Sequence, residues 1–546
     1  MDKSYRPWEP RQSFLLPPSP LDWLPEGDLA YFILDLMGQL DLSEIEDPIQ
    51  DKDPRGTRPY NPIMMTALLL FAYCMGIPSS RKIEKATHHD LAFRVIAGGA
   101  QPDHTVISEF RRINLSALAR LFLQVLQLCQ KAGLVKLGHV ALDGTKIAAN
   151  ASKHKAMSYG RMLKKEDELK AEIARMLEGA ETADKAEDAR FGPKGKEHDL
   201  PEELRRRESR LQKIQEALAA LEADAARTRA LELQEQAEHA RARAQAEVDA
   251  EKREAAERRA EKTAQKAADA AQRAKEKAAE RTARAERKAK QAADKAEKSK
   301  SRKEQLAALA AERGLAAAQR DQQKAEALGN GLQQADDSFP EHRVPSTVDG
   351  TPDPKAQRNF VDPDSRIMKT KTGFIQGYNA QIAVDATCQV IVAYGVTNQS
   401  PDAQHLKPML SATLANGGTS PERFSADAGY WSDENAAAVA AAGIDAFIAV
   451  GRQKHGQEGE SSDEPGGDGS EAKQQMQDKL RGEEGRKVYA RRKVIAEPPF
   501  GQIKEAQGFR RFCQRGIERV GDEWGLICLS HNILKLFRFA PAPVLG

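Results

Sequence analysis

The chain is poor in aromatic residues. Phe, Trp and Tyr make up 5% of its 546 residues, whereas charged residues make up 30%. That is little bulk for packing at this length, so part of the chain should be extended helix or irregular. Cysteine is scarce too. Cys74, Cys129, Cys388, Cys513 and Cys528 are odd in number, far apart and never spaced as CxxC. This argues against a disulfide framework or a zinc cluster and fits buried thiols in a reducing compartment. Long apolar runs are missing. The most apolar stretch, Ile63 to Ile77, follows Pro62; at about 15 residues it reads as a buried helix rather than a bilayer span. MDKSYRPWEPRQSF has no apolar signal-peptide core. Nor is there an excess of one charge sign, with 83 Lys+Arg against 81 Asp+Glu. The expectation is a soluble, cytoplasmic protein of two or three domains.

What is present is strongly segregated. Residues 1–135 carry apolar residues at helical spacing, as in DLAYFILDLMGQL and NPIMMTALLLFAYCMGI. Asn61 before Pro62, Ser79 and Asp103 are candidate helix N-caps. Arg81, Lys82, Arg94, Arg111 and Arg112 on short helices suggest a helix-turn-helix-like DNA-binding unit, or an ordinary helical domain with a solvated basic face. Residues 156–335 are dominated by Ala, Glu, Lys, Arg and Gln. Leu204, Leu211, Ile214 and Leu218 sit near heptad spacing, which suggests a coiled-coil-like helical hairpin. Beyond about residue 225 the apolar seam is nearly all Ala, and the expectation is a long, largely solvated helix with an excess of basic residues. Such an arm either lies along phosphates or is only a spacer. Residues 336–355 read as a linker, and about 455–484 as a disordered acidic loop.

Strand patterns return on either side of that insertion. HVALD is an apolar strand ending on Asp143, within residues 136–155. From 356 to 546, Tyr378–Val384 and Val390–Val396 form a hairpin, SPDAQHLKPML opens a helix, RFSAD is a strand ending on Asp427, and a helix, a strand and a helix follow. With the insertion excised, this is the element order of an α/β, RNase H-like mixed sheet with flanking helices, preceded by an all-α N-terminal domain. Connection rules make the Asp143 and Asp427 strands parallel neighbours, with both carboxylates near strand C-termini. Glu497 is the best third acid. Tyr489, Lys493 and Glu497 share one helix face, and Lys504 follows about two turns later. Pro498 and Pro499 should place Glu497 at or just before the start of a new helix. Three clustered carboxylates repel one another unless cations intervene, and two Mg²⁺ ions are the natural counterweight.

ALDGTKIAANASKHK, GYNAQIAVD, SADAGYWSDEN and VIAEPPFGQIKEAQGFRRF resemble the DDE-type transposases of bacterial insertion sequences, nearest the group called eleven-eighty-two, related to the "five" group. The resemblance covers roughly residues 10–175 and 355–540. It implies that Asp143, Asp427 and Glu497 are the catalytic, metal-binding acids, with two Mg²⁺ ions and Mn²⁺ as a substitute. It implies that Tyr489, Arg492 and Lys504 are the tyrosine, arginine and lysine of the family signature. Four residues separate Arg492 from Glu497 where the signature leaves three, so Arg491 and Lys493 stand as alternatives. Lys146 is a candidate DNA contact. Asp402 is either an accessory acid or an N-cap after Pro401. The activity implied is binding of terminal inverted repeats, strand cleavage and joining of 3′-OH ends to target double-stranded DNA. A homodimer or larger synaptic complex at the bacterial nucleoid follows, with no membrane partner.

Competing readings are weaker. A lone Asp after a strand is more often a turn residue than a ligand. An Asp-Gly-Thr phosphatase turn needs a nucleophilic acid two residues earlier, where this chain has Ala141. Glu505 competes with Glu497 but reads as solvated. His88, His89, His154 and His531 have no metal-ligand spacing. The alternative from another class is a catalytically inactive DNA-binding, coiled-coil scaffold derived from a transposase.

Overall fold

The computed structural model describes residues 22, 24–50, 59–191, 202–247, 250–299, 301–328, 339–340, 342–370, 372–451 and 470–540. The chain divides into two compact units, residues 1–150 with 368–546, and residues 151–367.

The first unit begins with six helices: α1 (Leu29–Met37), α2 (Ser43–Gln50), α3 (Pro62–Cys74), α4 (Ser80–His89), α5 (Leu91–Ile96) and α6 (His104–Lys131). Asn61 caps α3 through Met64 N, and Asp103 caps α6 through Thr105 N. Ser79 precedes α4 but makes no capping bond. Met65 to Cys74 of α3 are all buried. No helix among the described residues is long and apolar enough to cross a membrane. These helices do not stand apart as a 1–135 module. Ser116 on α6 donates to Asp522 at 2.6 Å, and the Phe122 ring meets Tyr394 edge-on with centroids 4.8 Å apart. The N-terminal helices therefore share a core with the sheet that follows.

Five strands of that six-stranded sheet are β1 (His139–Ala148) and the four that follow the second unit in the chain: β5 (Gly373–Asp385), β6 (Ile391–Thr397), β7 (Arg423–Ala426) and β8 (Asp445–Ile448). β6 pairs with β5 and β5 with β1, both antiparallel; β1 pairs with β7 and β7 with β8, both parallel. Numbered by order in the sheet's own chain, the strands lie 3-2-1-4-5 with the second reversed, the mixed sheet expected of an RNase H-like core. α11 (Leu406–Gly417) and α12 (Asp433–Ala441) link the strands, and α13 (Glu471–Arg481), α14 (Glu483–Gly501) and α15 (Ile517–Phe539) close the unit. Phe500 of α14, Trp524 of α15, Phe512 and Tyr378 of β5 form a run of ring contacts with centroids 6.1–6.5 Å apart. Tyr378 pairs with Ile147 in the ladder. Side chains alternate along a strand, so the face under α14 and α15 also carries Asp143 and Thr145, while Gly144 and Lys146 face the other way.

Two expectations fail here. β1 does not end on Asp143. It continues to Ala148 because β5 keeps pairing with it, from Val140↔Asp385 to Ala148↔Gly377. The acidic stretch 455–484 is not irregular throughout. Residues 455–469 lie outside the described residues, but Ser470 caps α13 through Lys473 N, and Met476 is buried.

The second unit opens with β2 (Ala156–Ser158), which pairs antiparallel with β3 (Gln357–Asn359). Four long helices lie between them: α7 (Tyr159–Phe191), α8 (Glu202–Ala246), α9 (Ala250–Ser299) and α10 (Arg302–Glu326). β4 (Arg366–Thr370) leads back and pairs with β5. Met162, Leu169, Ile214, Leu218 and Leu221 form one apolar cluster, joined by Val344. The Ala-rich seam is not a solvated single helix. Ala270, Ala271, Ala274 and Ala278 of α9 pack with Ala226, Ala230 and Leu233 of α8 and with Ala325. Small side chains let helix axes approach closely, so contact over length replaces side-chain bulk. Residues 342–355, read as linker, are docked: Val344 is buried and its N–H donates to Thr228 Oγ1 at 3.1 Å. Residues 356–367 belong to this unit, not to the sheet unit.

Candidate active site

β7 runs beside β1 only from His139↔Arg423 to Ala141↔Ser425. Two residues further along each segment stand Asp143, still within β1, and Asp427, one residue past the end of β7. Equal offsets from one register pair put both acids level on the same face of neighbouring strands, about 4.8 Å apart at the backbone. β7 stops at Ala426, so the β7 side of β1 has no strand partner from there until Ala148, which bridges to Arg511. Asp427 starts a 3-10 turn, its carboxylate accepting from Gly429 N at 2.8 Å.

Asp143 is mostly buried. Its Oδ1 accepts from Gly144 N at 2.9 Å and its Oδ2 from Arg492 Nη1 at 3.2 Å. Burial pushes the carboxyl up to about 6; Arg492 opposes the rise, and the Asp427 carboxylate adds to it. Arg492 is brought there by α14, which presents Val488, Arg492, Ile495, Ala496 and Pro499 to the interior. Arg491 and Lys493 are exposed. The Tyr489 ring lies 5.8 Å from the Arg492 guanidinium. Burial raises the Tyr489 hydroxyl, Arg492 opposes this, and the negative charges of Asp427 and Asp143 reinforce it.

The helix does not restart at the prolines. α14 contains both Pro498 and Pro499 and ends at Gly501. Pro498 has no N–H to offer the carbonyl of Val494, four residues back. That carbonyl accepts instead from Gln389 Nε2 at 2.9 Å. Glu497 is therefore inside the helix near its end, not before a new one. It is exposed, and its carboxylate has no hydrogen-bond or ion-pair partner among the described residues. Lys493 and Glu497 lie one and two turns beyond Tyr489 on the same side of the helix. The structure thus brings Asp143 and Asp427 together and leaves Glu497 unengaged. Among the described residues, the one set of three donors within 4.8 Å of one another is Glu84, Asp103 and His104, in the N-terminal helices.

Past Gly501 the helix widens into a π-helical turn, Gln502–Ala506. Lys504 on this turn donates to Thr145 Oγ1 and to the carbonyl of Lys146. Burial lowers its pKa, while the Glu505 and Asp143 charges act to raise it and Arg510 to lower it. Glu505 itself is exposed and pairs with Arg510.

The other face of β1 holds a polar network. Asp402 precedes a 3-10 turn but makes no capping bond. Its Oδ1 accepts from Asn379 at 2.6 Å, from Gln381 at 3.2 Å and from Lys146 Nζ at 3.4 Å. Burial acts to raise its pKa, but His405, Lys146 and Asn379 outweigh it and hold the carboxyl at about 2. Tyr430 donates to Gln381 Oε1. Gly144 makes room for this amide, because a Cβ there would lie 2.4 Å from Gln381 Nε2. Sequence reasoning missed Asn379, Gln381 and Tyr430. The signal was two polar residues at period 2 inside the apolar strand GYNAQIAVD, both fully buried.

The basic residues of the N-terminal helices divide. Arg81 and Lys82 are exposed. Arg111 is turned inward and buried, bonded to the Pro78 carbonyl, Ser80 Oγ and Tyr73 Oη. His531 is buried and bonded to the Gln389 carbonyl.

The fit of a hard divalent cation can be judged from these donors. Two level carboxylates at a strand edge, one of them destabilised by burial and by its neighbour, form an oxygen-donor set that a cation would relieve. Glu497 is a further exposed carboxylate, on α14, but it does not close with these two into a set of three within 4.8 Å. The residues fit such an ion.

Two family models match the chain. Transposase domain (DUF772) matches residues 19–112, and Transposase DDE domain matches residues 343–533. Together they span just over half of the 546 residues. Asp143 falls between them. No curated protein and no solved structure matches.

Proposed function

The chain belongs to the DDE-type transposases of insertion sequences, and we propose that it binds the terminal inverted repeats of its element, cleaves strands there and joins the freed 3′-OH ends to target DNA. A DNA transposase of this family works with divalent metal ions; the finer assignments here are the proposal. Asp143, Asp427 and Glu497 are the metal-binding acids. Two Mg²⁺ ions, or Mn²⁺, held by these oxygens would lower the pKa of an attacking water and offset charge on a phosphodiester.

The chain's own residues do the rest. Arg492 holds the Asp143 carboxylate in place against its desolvation. Lys504 and Lys146, on the two faces of β1, position phosphate oxygens. Tyr489 lies beside the acids and orients the flanking strand. Asp402 is an accessory acid that keeps Lys146 in place. The exposed basic residues of the N-terminal helices bind the repeats. Two ends must be held at once, so the working form is a homodimer or larger synaptic complex, acting on the bacterial nucleoid in the cytoplasm.

The observation that carries this reading is the level placement of Asp143 and Asp427 on parallel strands, where a single phosphate can meet both. The test is cleavage of duplex DNA bearing the element ends, with Mg²⁺ and with EDTA. Asp143→Asn, Asp427→Asn and Glu497→Gln should each lose at least a hundredfold in rate, about 2.7 kcal/mol or more, while still binding the ends. Undiminished cleavage by any one of them removes that residue from the site.

A further inference from the structure

Beside its intrahelical pairs, such as Arg253 with Glu257 and Arg258 with Glu254, the α9 helix carries two further populations of cations. One holds the helical bundle together. Lys277 reaches Glu222 at 3.1 Å, Lys288 reaches Glu216 at 2.7 Å, and Arg281 pairs with Asp321. The other holds nothing. Arg259, Lys262, Lys266 and Arg273 are exposed, and none of their side chains has a hydrogen bond or ion pair among the described residues.

The second group is ordered. At 100° per residue the four side chains fall within about 60° of arc, and at 1.5 Å per residue they span about 21 Å. Glu257, Glu261, Glu286 and Glu297 cluster on the opposite flank of the same helix, within about 40° of arc. Between Arg259 and Arg273 the acids are Glu261, on that opposite flank, and Asp269; further along the helix the signs mix, with Glu280 at the azimuth of Lys262 and Lys275 at that of Glu257. Asp269 lies near the basic flank, and its carboxylate accepts from Gln265.

We propose that Arg259, Lys262, Lys266 and Arg273 form a second contact for duplex DNA, on the 151–367 unit, distinct from the residues assigned to cleavage. The ligand is the phosphate backbone, without regard to sequence. A row of cations about 21 Å long is enough to reach both walls of a major groove about 12 Å wide.

The test is binding by the full-length chain in EDTA, so that cleavage plays no part. Two duplexes of 40 base pairs are compared, with and without the terminal repeat, across a series of salt concentrations. Replacing Arg259, Lys262, Lys266 and Arg273 together by Gln should weaken both complexes at least tenfold. It should also flatten the slope of log K against log salt by about 3 to 4, at roughly 0.9 per lost contact. Arg253→Gln with Arg258→Gln, which removes two intrahelical pairs off the stripe, should change affinity less than twofold. Helical circular dichroism should be the same in all variants. If the fourfold variant loses helicity, Lys262→Gln and Lys266→Gln are measured singly, and each should flatten the slope by about 0.9. An unchanged slope in the fourfold variant overturns the proposal. So does an equal loss per charge in the control pair, which would mean net charge alone acts. A wild-type chain that binds but does not cleave with Mg²⁺ fails the functional proposal and leaves this one standing.

Discussion

Asp143 and Asp427 each stand two residues beyond the pair Ala141↔Ser425 of adjacent parallel strands, Asp427 just past the end of β7. Nothing local in either strand would place two carboxylates side by side. The cost of that proximity falls on Asp143, which is the more enclosed, and Arg492 offsets part of it from α14.

Arg492→Met should therefore raise the Asp143 carboxyl further. The guanidinium is an opposing charge at 3.2 Å, and losing such a charge from a buried carboxylate shifts it by about 1 to 3 pH units. Carboxyl carbon chemical shifts followed against pH in EDTA would read this. No upward movement of the Asp143 midpoint would refute the pairing.

The pH dependence of stability follows from the sign of the same shift. Asp143 titrates at about 6 in the folded chain against 3.8 unperturbed. Between those values the folded state binds more protons than the unfolded one, so stability falls as pH rises through the window. The effect of one such shift is on the order of 3 kcal/mol. Asp143→Asn lacks the term. In EDTA the wild-type chain should lose stability relative to Asp143→Asn as pH goes from 4 to 6, measured by urea unfolding at each pH. A constant difference would show that burial does not govern Asp143.

Gly144→Ala should disturb the network on the other face of β1. The new Cβ would press on Gln381 Nε2, and that amide must leave Asp402 or Asn379. Crowding of this kind costs about 1 to 3 kcal/mol. Combining it with Gln381→Ala should recover part of the loss. Thermal unfolding of the single and double variants tests this, and strict additivity would rule the contact out.

Arg111→Ala separates fold from DNA binding in the N-terminal helices. Its guanidinium satisfies Pro78, Ser80 and Tyr73. Removing a charged hydrogen-bonding group from such a site costs about 1.5 to 3 kcal/mol. Stability in urea should fall by that amount, while the salt dependence of DNA binding stays as in the wild type. A flatter salt slope would instead mark Arg111 as a phosphate contact.

Much of the site was legible because strand order and parallel crossovers are constrained. The strands bearing Asp143 and Asp427 could be made neighbours from element order alone. The end of β1 was misplaced because Asp-Gly-Thr looks like a turn, whereas β5 goes on pairing to Ala148. The break at Pro498 was misplaced because the partner for the Val494 carbonyl, Gln389, is 105 residues away in sequence. Asp402 was left between an acid and a cap for the same reason: its partners Lys146, Asn379 and Gln381 come from other strands.

The sequence by itself determined the periodicities, the caps at Asn61 and Asp103, the order of the strands, and the segregation of Ala and charge into the insertion. These depend on neighbours within a few residues. The tertiary structure alone decided which cation meets Asp143, that Glu497 lies inside a helix with its carboxylate unpartnered among the described residues, that Arg111 points inward, and that the Ala seam of α9 is buried between helices. Each of those depends on which distant group arrives to satisfy a buried charge, an orphaned carbonyl or an apolar face, and burial is a property of the packed chain.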